Sequence, residues 1–410
     1  MAGQLKINGV TLATEDSSVI TLENPQIKDS SNNLVLDQSG SKAVLNNVEV
    51  VNDSSMMFRN KIINGDMRID QRNAGSIYTS LYNSTYILDR WYFDANSLDQ
   101  IYLDISRYSM TASDFNSTGF SNALKVEVAT AESAIAANEY GSIQQRIEAQ
   151  TLTDLKFGTS NAKPLMLSFW VKTSLTGTYG ITLQKMDTTA RLINKSYTTT
   201  STDWQHVKIP IAGDTDSGAL IANDNGEGFR LIFWLGVGSD YTTSSSSTWI
   251  NYSDSYWGGS HQQNAFLTTQ NATFHLTGVQ LEVGNQATPF EHKPIGVELE
   301  LCQRYFEKSY NLEVAPGSST ETGSFRTLAP RTLSSSLDFM YSVQYKVPKR
   351  ASGLTRIYST DGSLASVRDV SGGTNTTLRR SSGGESNLMV GFDIQDTRFY
   401  AFQWTADAEF

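Results

Sequence analysis

Strand-length apolar runs that alternate with a period of two, each closed by Gly, Asn or Asp, recur along most of this chain. They constrain its fold more than any other feature. In "KPLMLSFWVKT" (163–173), Leu165, Leu167, Phe169 and Val171 fall on one face and Met166, Ser168, Trp170 and Lys172 on the other. "WQHVKIPIAG" (204–213), "FRLIFWLGVGS" (229–239) and "ATFHLTGVQLEVG" (272–284) are runs of the same kind. With polar turns and no strong helix between them, they predict an antiparallel β-sandwich of jelly-roll type. "ASDFNSTGFSNALKVEV" (112–128) fits a turn-rich connection leading into another strand.

At 410 residues the chain is longer than one hydrophobic core usually organises, so several units are expected. Residues 1–57 read as apolar pairs and triplets separated by turn formers such as Asn8-Gly9 and Ser39-Gly40. They hold too few large side chains for a core of their own, which suits a homo-oligomeric stalk or an attachment arm that packs on other chains. Residues 58–294 carry the sandwich, 295–310 a linking helix, and 311–410 a small C-terminal β domain. There Phe399, Ala401 and Gln403 alternate with Tyr400, Phe402 and Trp404 as a closing strand. The class is mainly β throughout.

Composition removes several functions. A net charge of −10 without a cluster of Lys and Arg excludes binding to a nucleic-acid backbone, which needs concentrated cations. One cysteine, Cys302, excludes an intrachain disulfide framework, and four scattered histidines exclude a zinc site at the usual spacings. No cofactor is expected. Calcium held by Asp and Asn oxygens would suit a sandwich loop, although no EF-hand-type spacing occurs. The start "MAGQLKINGV" lacks a signal-peptide pattern and no apolar run reaches about eighteen residues, so synthesis in the cytoplasm without membrane insertion is expected.

Three stretches concentrate chemistry-bearing side chains. "TPFEHKPIGVELELCQRYFEKSY" (288–310) brings together Glu291, His292, Glu298, Glu300 and Cys302. Its helical period, from Gly296 to about Lys308, places Leu299, Cys302 and Phe306 on an apolar stripe. Glu298, Glu300, Gln303, Arg304 and Glu307 fall mainly on the wetter sides, so a joint between two β units is expected rather than a metal or catalytic site. "NGDMRIDQRNAG" (64–75) and "YILDRWYFD" (86–94) hold Asp66, Arg68, Asp70, Arg72, Asp89 and Arg90. The alternation Asp66, Arg68, Asp70, Arg72 points to one side of a strand. Adjacent arginines oppose the raised pKa that a catalytic acid needs, so these six are expected as structural charge pairs.

The third stretch is the loop "SDYTTSSSSTWINYSDSYWGGSHQQNAF" (239–266). Tyr241, Trp249, Tyr252, Tyr256 and Trp257 lie among Ser, Asn and Gln, the mixture that sugar rings require: apolar faces to stack on and short polar partners for hydroxyls. Aromatic residues in a loop also serve to pin it to a scaffold, so both readings stand at this level. No phosphate-cradling glycine loop, Ser-His-Asp order or HExxH pattern occurs, and enzyme activity is not expected.

"FRNKIINGDMRIDQRNAG", "YILDRW" and "TGVQLEVGNQATPFEHKPIGVELELCQRYFEKSY", in that order and spacing, resemble a group of bacteriophage tail-fibre and virion structural proteins that commonly carry a carbohydrate-binding-module-like jelly roll. The resemblance spans about 58–310, and "VQYKVPKRASGLTRIYSTDG" and "WTADAEF" look like the group's following β domain and its ending. It implies a virion component, a homotrimeric tail fibre in the first place, that contacts other virion proteins through its N-terminal segment and host-surface polysaccharide through its distal domains. The competing implication is a structural or decoration protein of the tail or capsid with no receptor role.

Overall fold

The computed structural model describes residues 58–410 except 99, 330–337 and 395–396, with backbone alone at 338–339 and for seven short strands before residue 58. The chain divides at Arg59 into two units. In the first, Gln4–Ile7, Val10–Asp16 and Val19–Leu22 pair in one antiparallel sheet, and Ile27–Lys28, Leu34–Ser39, Lys42–Leu45 and Val48–Glu49 in another. The stalk or attachment role expected of residues 1–57 otherwise lies outside the described residues.

Asn60–Phe410 is the second unit. Its larger part is a sandwich of two antiparallel sheets. One runs, edge to edge, Ile250–Asn251, Arg191–Thr199, Gly177–Lys185, Glu227–Val237, Tyr140–Glu148, Trp91–Asn96, Thr85–Leu88. The other runs Gln205–Ile211, Leu165–Thr173, Thr273–Val283, Asn122–Thr130, Tyr102–Ser109, Tyr78–Leu81. Leu165, Leu167, Phe169 and Val171 enter the core as the alternation predicts, meeting Ile181, Leu183, Leu231 and Phe233 from the facing sheet. Each such side chain contributes roughly 1.5–3 kcal/mol on burial. Trp170 points outward and stacks on His206, with ring centroids 4.8 Å apart.

Two local expectations are corrected. The connection at 112–118 is a helix, Ala112–Thr118, rather than a run of turns. Thr111 and Asp114 form a reciprocal capping box and Gly119 closes it in the left-handed region (φ 81°), so capping stabilises what a seven-residue apolar pattern could not announce. The linking helix is also shorter than expected, Ile295–Gln303, and after Arg304 the chain becomes strand Phe306–Lys308, which pairs with Phe399–Asp407. Cys302, Tyr305 and Phe306 are buried and Glu300 is exposed as expected, but Leu299 and Leu301 are only half-buried while Glu298, Gln303 and Glu307 are buried against expectation. Tertiary partners override the period here: each buried acid meets a specific donor.

The C-terminal sheet is built around Phe399–Asp407, which pairs with Phe306–Lys308, Phe325–Leu328, Leu354–Tyr358 and Ser366–Asp369. Thr374–Gly383, Asn387–Asp393 and Asp338–Gln344 extend it. Tyr400, Phe402, Trp404 and Ala406 pack inward with Ile357, Val367, Val390 and Phe392, so the closing strand read from its aromatic alternation is the spine of this sheet.

Candidate functional site

The stretch 288–310 forms a junction between sandwich and C-terminal sheet. Asn64 sits at φ 57° and is held on all sides. Its N–H donates to Glu298, its Nδ2 donates to the carbonyls of Ile69 (2.8 Å) and Asp89 (3.0 Å), and its carbonyl accepts from Trp91 Nε1 (2.9 Å). The next residue must be glycine, because a Cβ on Gly65 would lie 2.2 Å from the Val279 carbonyl oxygen. Nearby, Glu148 accepts from Arg304 (2.6 and 2.9 Å) and from the Tyr305 hydroxyl (2.8 Å), and Lys349 pairs with Glu307 at 2.6 Å with both side chains buried. Cys302 is fully buried, and burial pushes its thiol well above the usual range, so it stays protonated. His292 is exposed and packs against Phe120 and Phe290. Among the described residues no three His, Cys, Asp or Glu side chains group to hold a metal.

The six charged residues expected as mutual pairs are structural, but their partners differ from the expectation. Residues 64–75 are not a strand. Asn64, Met67 and Ala74 take left-handed φ values of 57°, 57° and 51°, which bends the chain and breaks the alternation. Within the set only Asp66 and Arg68 bridge, at 2.5 Å. Asp70 caps its own turn, accepting from the N–H groups of Asn73 (3.0 Å) and Gly75 (2.6 Å). Asp89 accepts from the N–H and the Nε2 of Gln71, each at 2.6 Å. Burial raises its carboxyl to about 6, against the Arg72 charge and these bonds.

The two remaining arginines reach the far end of the sequence. Arg72 pairs with Asp407 (2.7 Å) and Glu409 (3.2 Å). Arg90 pairs with Glu409 and donates to the Arg146 carbonyl, with its guanidinium 3.4 Å above the Tyr305 ring centroid. Arg350 completes the clasp, donating to the carbonyls of Ala408 (3.0 Å) and Glu409 (2.9 Å) and lying over the Phe410 ring.

The aromatic loop 239–266 lies across the outer face of the seven-stranded sheet, where Trp257 joins Leu192, Ile232, Trp234 and Val237 in a separate apolar cluster. Trp257 is buried and its Nε1 donates to Gln184 (3.1 Å), so it offers no face to a ligand, which corrects its place in the expected sugar platform. Trp249 packs on Phe157 and Phe229 and donates to the Ala212 carbonyl (2.7 Å). Tyr241, Tyr252 and Tyr256 are half-buried against the same cluster, and the Tyr252 hydroxyl donates to Asp254. The loop pins itself to the scaffold, with Tyr241, Trp249, Tyr252 and Tyr256 half-buried.

A different aromatic surface lies where the sandwich edge meets the C-terminal sheet. A groove of about 480 Å³ is lined there by Tyr78, Tyr86, Tyr92 and Tyr358, with Arg72 and Arg356. Ser84, Thr85 and Thr405 add hydroxyls, and Asp407 is the one carboxylate among its described lining residues. Tyr86 and Tyr92 are a cross-strand pair with ring centroids 4.8 Å apart. Arg72 lies between the Tyr86 and Phe306 rings, 4.8 and 4.1 Å from their centroids, and forms part of the groove wall. Burial pushes the Tyr78 phenol up to about 12 and raises Tyr86 further, so both keep their protons at neutral pH and can donate. The Tyr86 hydroxyl is buried and makes no hydrogen bond. Sequence reasoning missed this groove. Tyr86 and Tyr92 flank a recognisable stretch, but Tyr358 comes from a strand more than 260 positions later and nothing local links them.

No known protein family and no curated protein matches the sequence. Among solved structures, the chain is similar to a family 11 carbohydrate-binding module of a cellulosomal cellulase from Clostridium thermocellum, at 11% identity and a TM-score of 0.26, over 51% of this chain and 100% of that one. A putative sugar-binding protein from Bacteroides thetaiotaomicron overlaps at 11% identity and 0.29, over 55% and 100%. The xylan-binding module CBM22-1 from Paenibacillus barcinonensis Xyn10C overlaps at 11% and 0.23, over 52% and 99%.

Proposed function

We propose that this protein binds glycans without cleaving them, through the tyrosine groove between sandwich and C-terminal sheet, as a fibre component of a phage particle. The groove carries the reading: the half-buried rings of Tyr78, Tyr86 and Tyr92, beside the buried Tyr358, give sugar C–H faces something to stack on, and Ser, Thr and guanidinium groups supply directional partners for hydroxyls. A glycosidase needs two carboxyl groups flanking the scissile bond. The groove's described lining supplies one, Asp407, already paired with Arg72. The half-buried Tyr241, Trp249, Tyr252 and Tyr256 are a second, lesser contact surface in this proposal.

The fibre role rests on the resemblance of "NGDMRIDQRNAG", "YILDRW" and the 277–310 stretch to phage tail-fibre and virion proteins. It carries with it a homotrimer in the virion, attachment to other virion proteins through residues 1–57, and host polysaccharide as ligand. The inward-turned loop aromatics favour a second reading, a decoration protein whose sandwich serves assembly. Particles lacking the protein separate the two: lost adsorption supports the first, intact adsorption with fragile particles the second.

The direct test is binding of the full chain to host cells and to their isolated polysaccharide, beside Tyr92→Ala, whose ring is half-buried at the groove. Binding that falls about tenfold in the folded variant supports the reading, by the usual worth of one stacking contact. Absence of binding to cells and polysaccharide alike overturns it.

A further inference from the structure

We propose that the groove selects an acidic sugar, with Arg356 receiving the sugar's carboxylate. The inference rests on the glycan-binding reading and adds the class of glycan.

The charges lining the groove are two guanidinium groups and one carboxylate. Arg72 and Asp407 are spoken for. They pair at 2.7 Å, and the Arg72 plane is enclosed by Tyr86 and Phe306. The other arginines nearby are engaged too: Arg90 by Glu409, Arg146 by the Phe410 carbonyl, and Arg350 by the carbonyls of Ala408 and Glu409. Arg356 differs from all of them. It is exposed, and among the described residues its guanidinium has neither an ion-pair partner nor a hydrogen-bond acceptor. After the internal pairs cancel, the groove presents one uncommitted positive charge, in a chain whose net charge is −10.

Strand geometry aims that charge at the rings. In Leu354–Tyr358 the side chains of Leu354, Arg356 and Tyr358 share one face, and all three line the groove. Arg356 stands opposite Thr405, one step from the buried Tyr358 and on the same groove as Tyr86 and Tyr92. The carboxylate of a uronic-acid residue projects from the rim of the sugar ring. A ring stacked on the tyrosines therefore extends its carboxylate along the groove wall, where a guanidinium fork meets it bidentately. A neutral sugar would use the rings and leave Arg356 to water.

The test compares acidic polysaccharides with the same polymers after reduction of their carboxyl groups, which keeps ring and linkage and removes the charge. Galacturonan, alginate, hyaluronan and polysialate form the panel, with a sulfated dextran beside them, and binding to the full chain is measured by titration calorimetry. The expected result is that at least one acidic polymer binds and its reduced form binds about tenfold or more weakly, the usual worth of a charge-assisted hydrogen bond. Arg356→Gln, at an exposed position, brings the two forms to equal affinity, and added salt weakens the wild-type preference. If reduced or neutral polymers bind as tightly as acidic ones and Tyr92→Ala abolishes both, the acidic preference is overturned while the groove remains a glycan site. If sulfated dextran competes as well as the best uronate, carboxylate selection is overturned in favour of charge alone. If no polymer and no host glycan binds, the glycan reading itself falls.

Discussion

Replacing Glu409 by alanine tests whether the last residues of the sequence hold the two sheets together. Its side chain is 3% exposed and faces Arg90, which is 1% exposed, and Arg72 at 3.2 Å. Burial alone would lower the Arg90 pKa, but the Glu409 carboxylate, with Tyr305, Tyr86 and Cys302 behind it, holds it above the ordinary guanidinium value, so the charge persists in the fold. Glu409→Ala leaves that charge with the Arg146 carbonyl and the Tyr305 ring. Removing one partner of a buried pair costs about 3–5 kcal/mol. Arg72 keeps Asp407, so the loss falls mainly on Arg90 and a value near 3 kcal/mol is expected. Urea unfolding reads it as a lower midpoint at an unchanged slope. Arg90→Met/Glu409→Leu removes both charges and should cost less than Glu409→Ala alone, which a double-mutant cycle reports as coupling. A cost below about 1 kcal/mol, the range of an exposed pair, would refute the clasp.

Three further outcomes follow from packing and titration. Gly65→Ala drives a Cβ to 2.2 Å from the Val279 carbonyl, so a loss of at least about 2 kcal/mol is expected, and a thermal melt unchanged from wild type would contradict the close approach. Trp257→Ala empties the cluster over the outer sheet and should lower stability by about 3–5 kcal/mol; a variant of wild-type stability that lost only glycan binding would return Trp257 to the ligand surface. Burial lowers His261 and His275 to about 4, so both are neutral in the fold while their unfolded counterparts protonate near 6.5. Their contribution is present above pH 6.5 and is lost as pH falls to about 4, at most about 3 kcal/mol each. The His261→Gln/His275→Gln double variant should flatten the decline of the urea midpoint over that range, and an equally steep decline in the variant would count against it.

The sandwich was legible because the alternation is local. Leu165, Leu167, Phe169 and Val171 need only their own strand to declare a face, and Tyr400, Phe402 and Trp404 do the same for the C-terminal sheet. What failed depended on information elsewhere in the chain. Asp66, Arg68, Asp70 and Arg72 imitate a strand in one dimension, but the left-handed Asn64, Met67 and Ala74 turn them in different directions. Glu298 and Glu307 read as solvent-facing because their donors, the Asn64 N–H and Lys349, lie 234 positions before and 42 after. The loop aromatics were read correctly as unusual, yet sequence alone could not say which way the rings faced. The groove had no local signature, since its tyrosines come from three sandwich strands and one strand of the C-terminal sheet.

The stretches that carry the phage-protein resemblance contribute both to the junction and to the groove, and the two places differ in what a substitution costs. Asn64, Gly65, Asp89, Trp91, Val279 and Glu298 meet at one junction where backbone approaches backbone and buried polar groups need specific partners. Single changes there are expensive, because a misplaced Cβ or an orphaned donor costs more than a surface contact is worth. Ser84, Thr85 and Arg356 stand instead at the sandwich edge and on an exposed strand face, where substitution leaves the junction intact. Arg72 serves both places, a ligand-facing wall on one side and an ion pair to Asp407 on the other. It follows that ligand class can change in this architecture through an exposed groove residue while the junction stays as it is. Arg356→Glu should thus invert the charge preference of the groove without moving the melting temperature by more than a degree or two, since a surface substitution of this kind lies within about 0.5 kcal/mol. A large loss of stability would mean that Arg356 serves the fold, and the division between junction and groove would not hold.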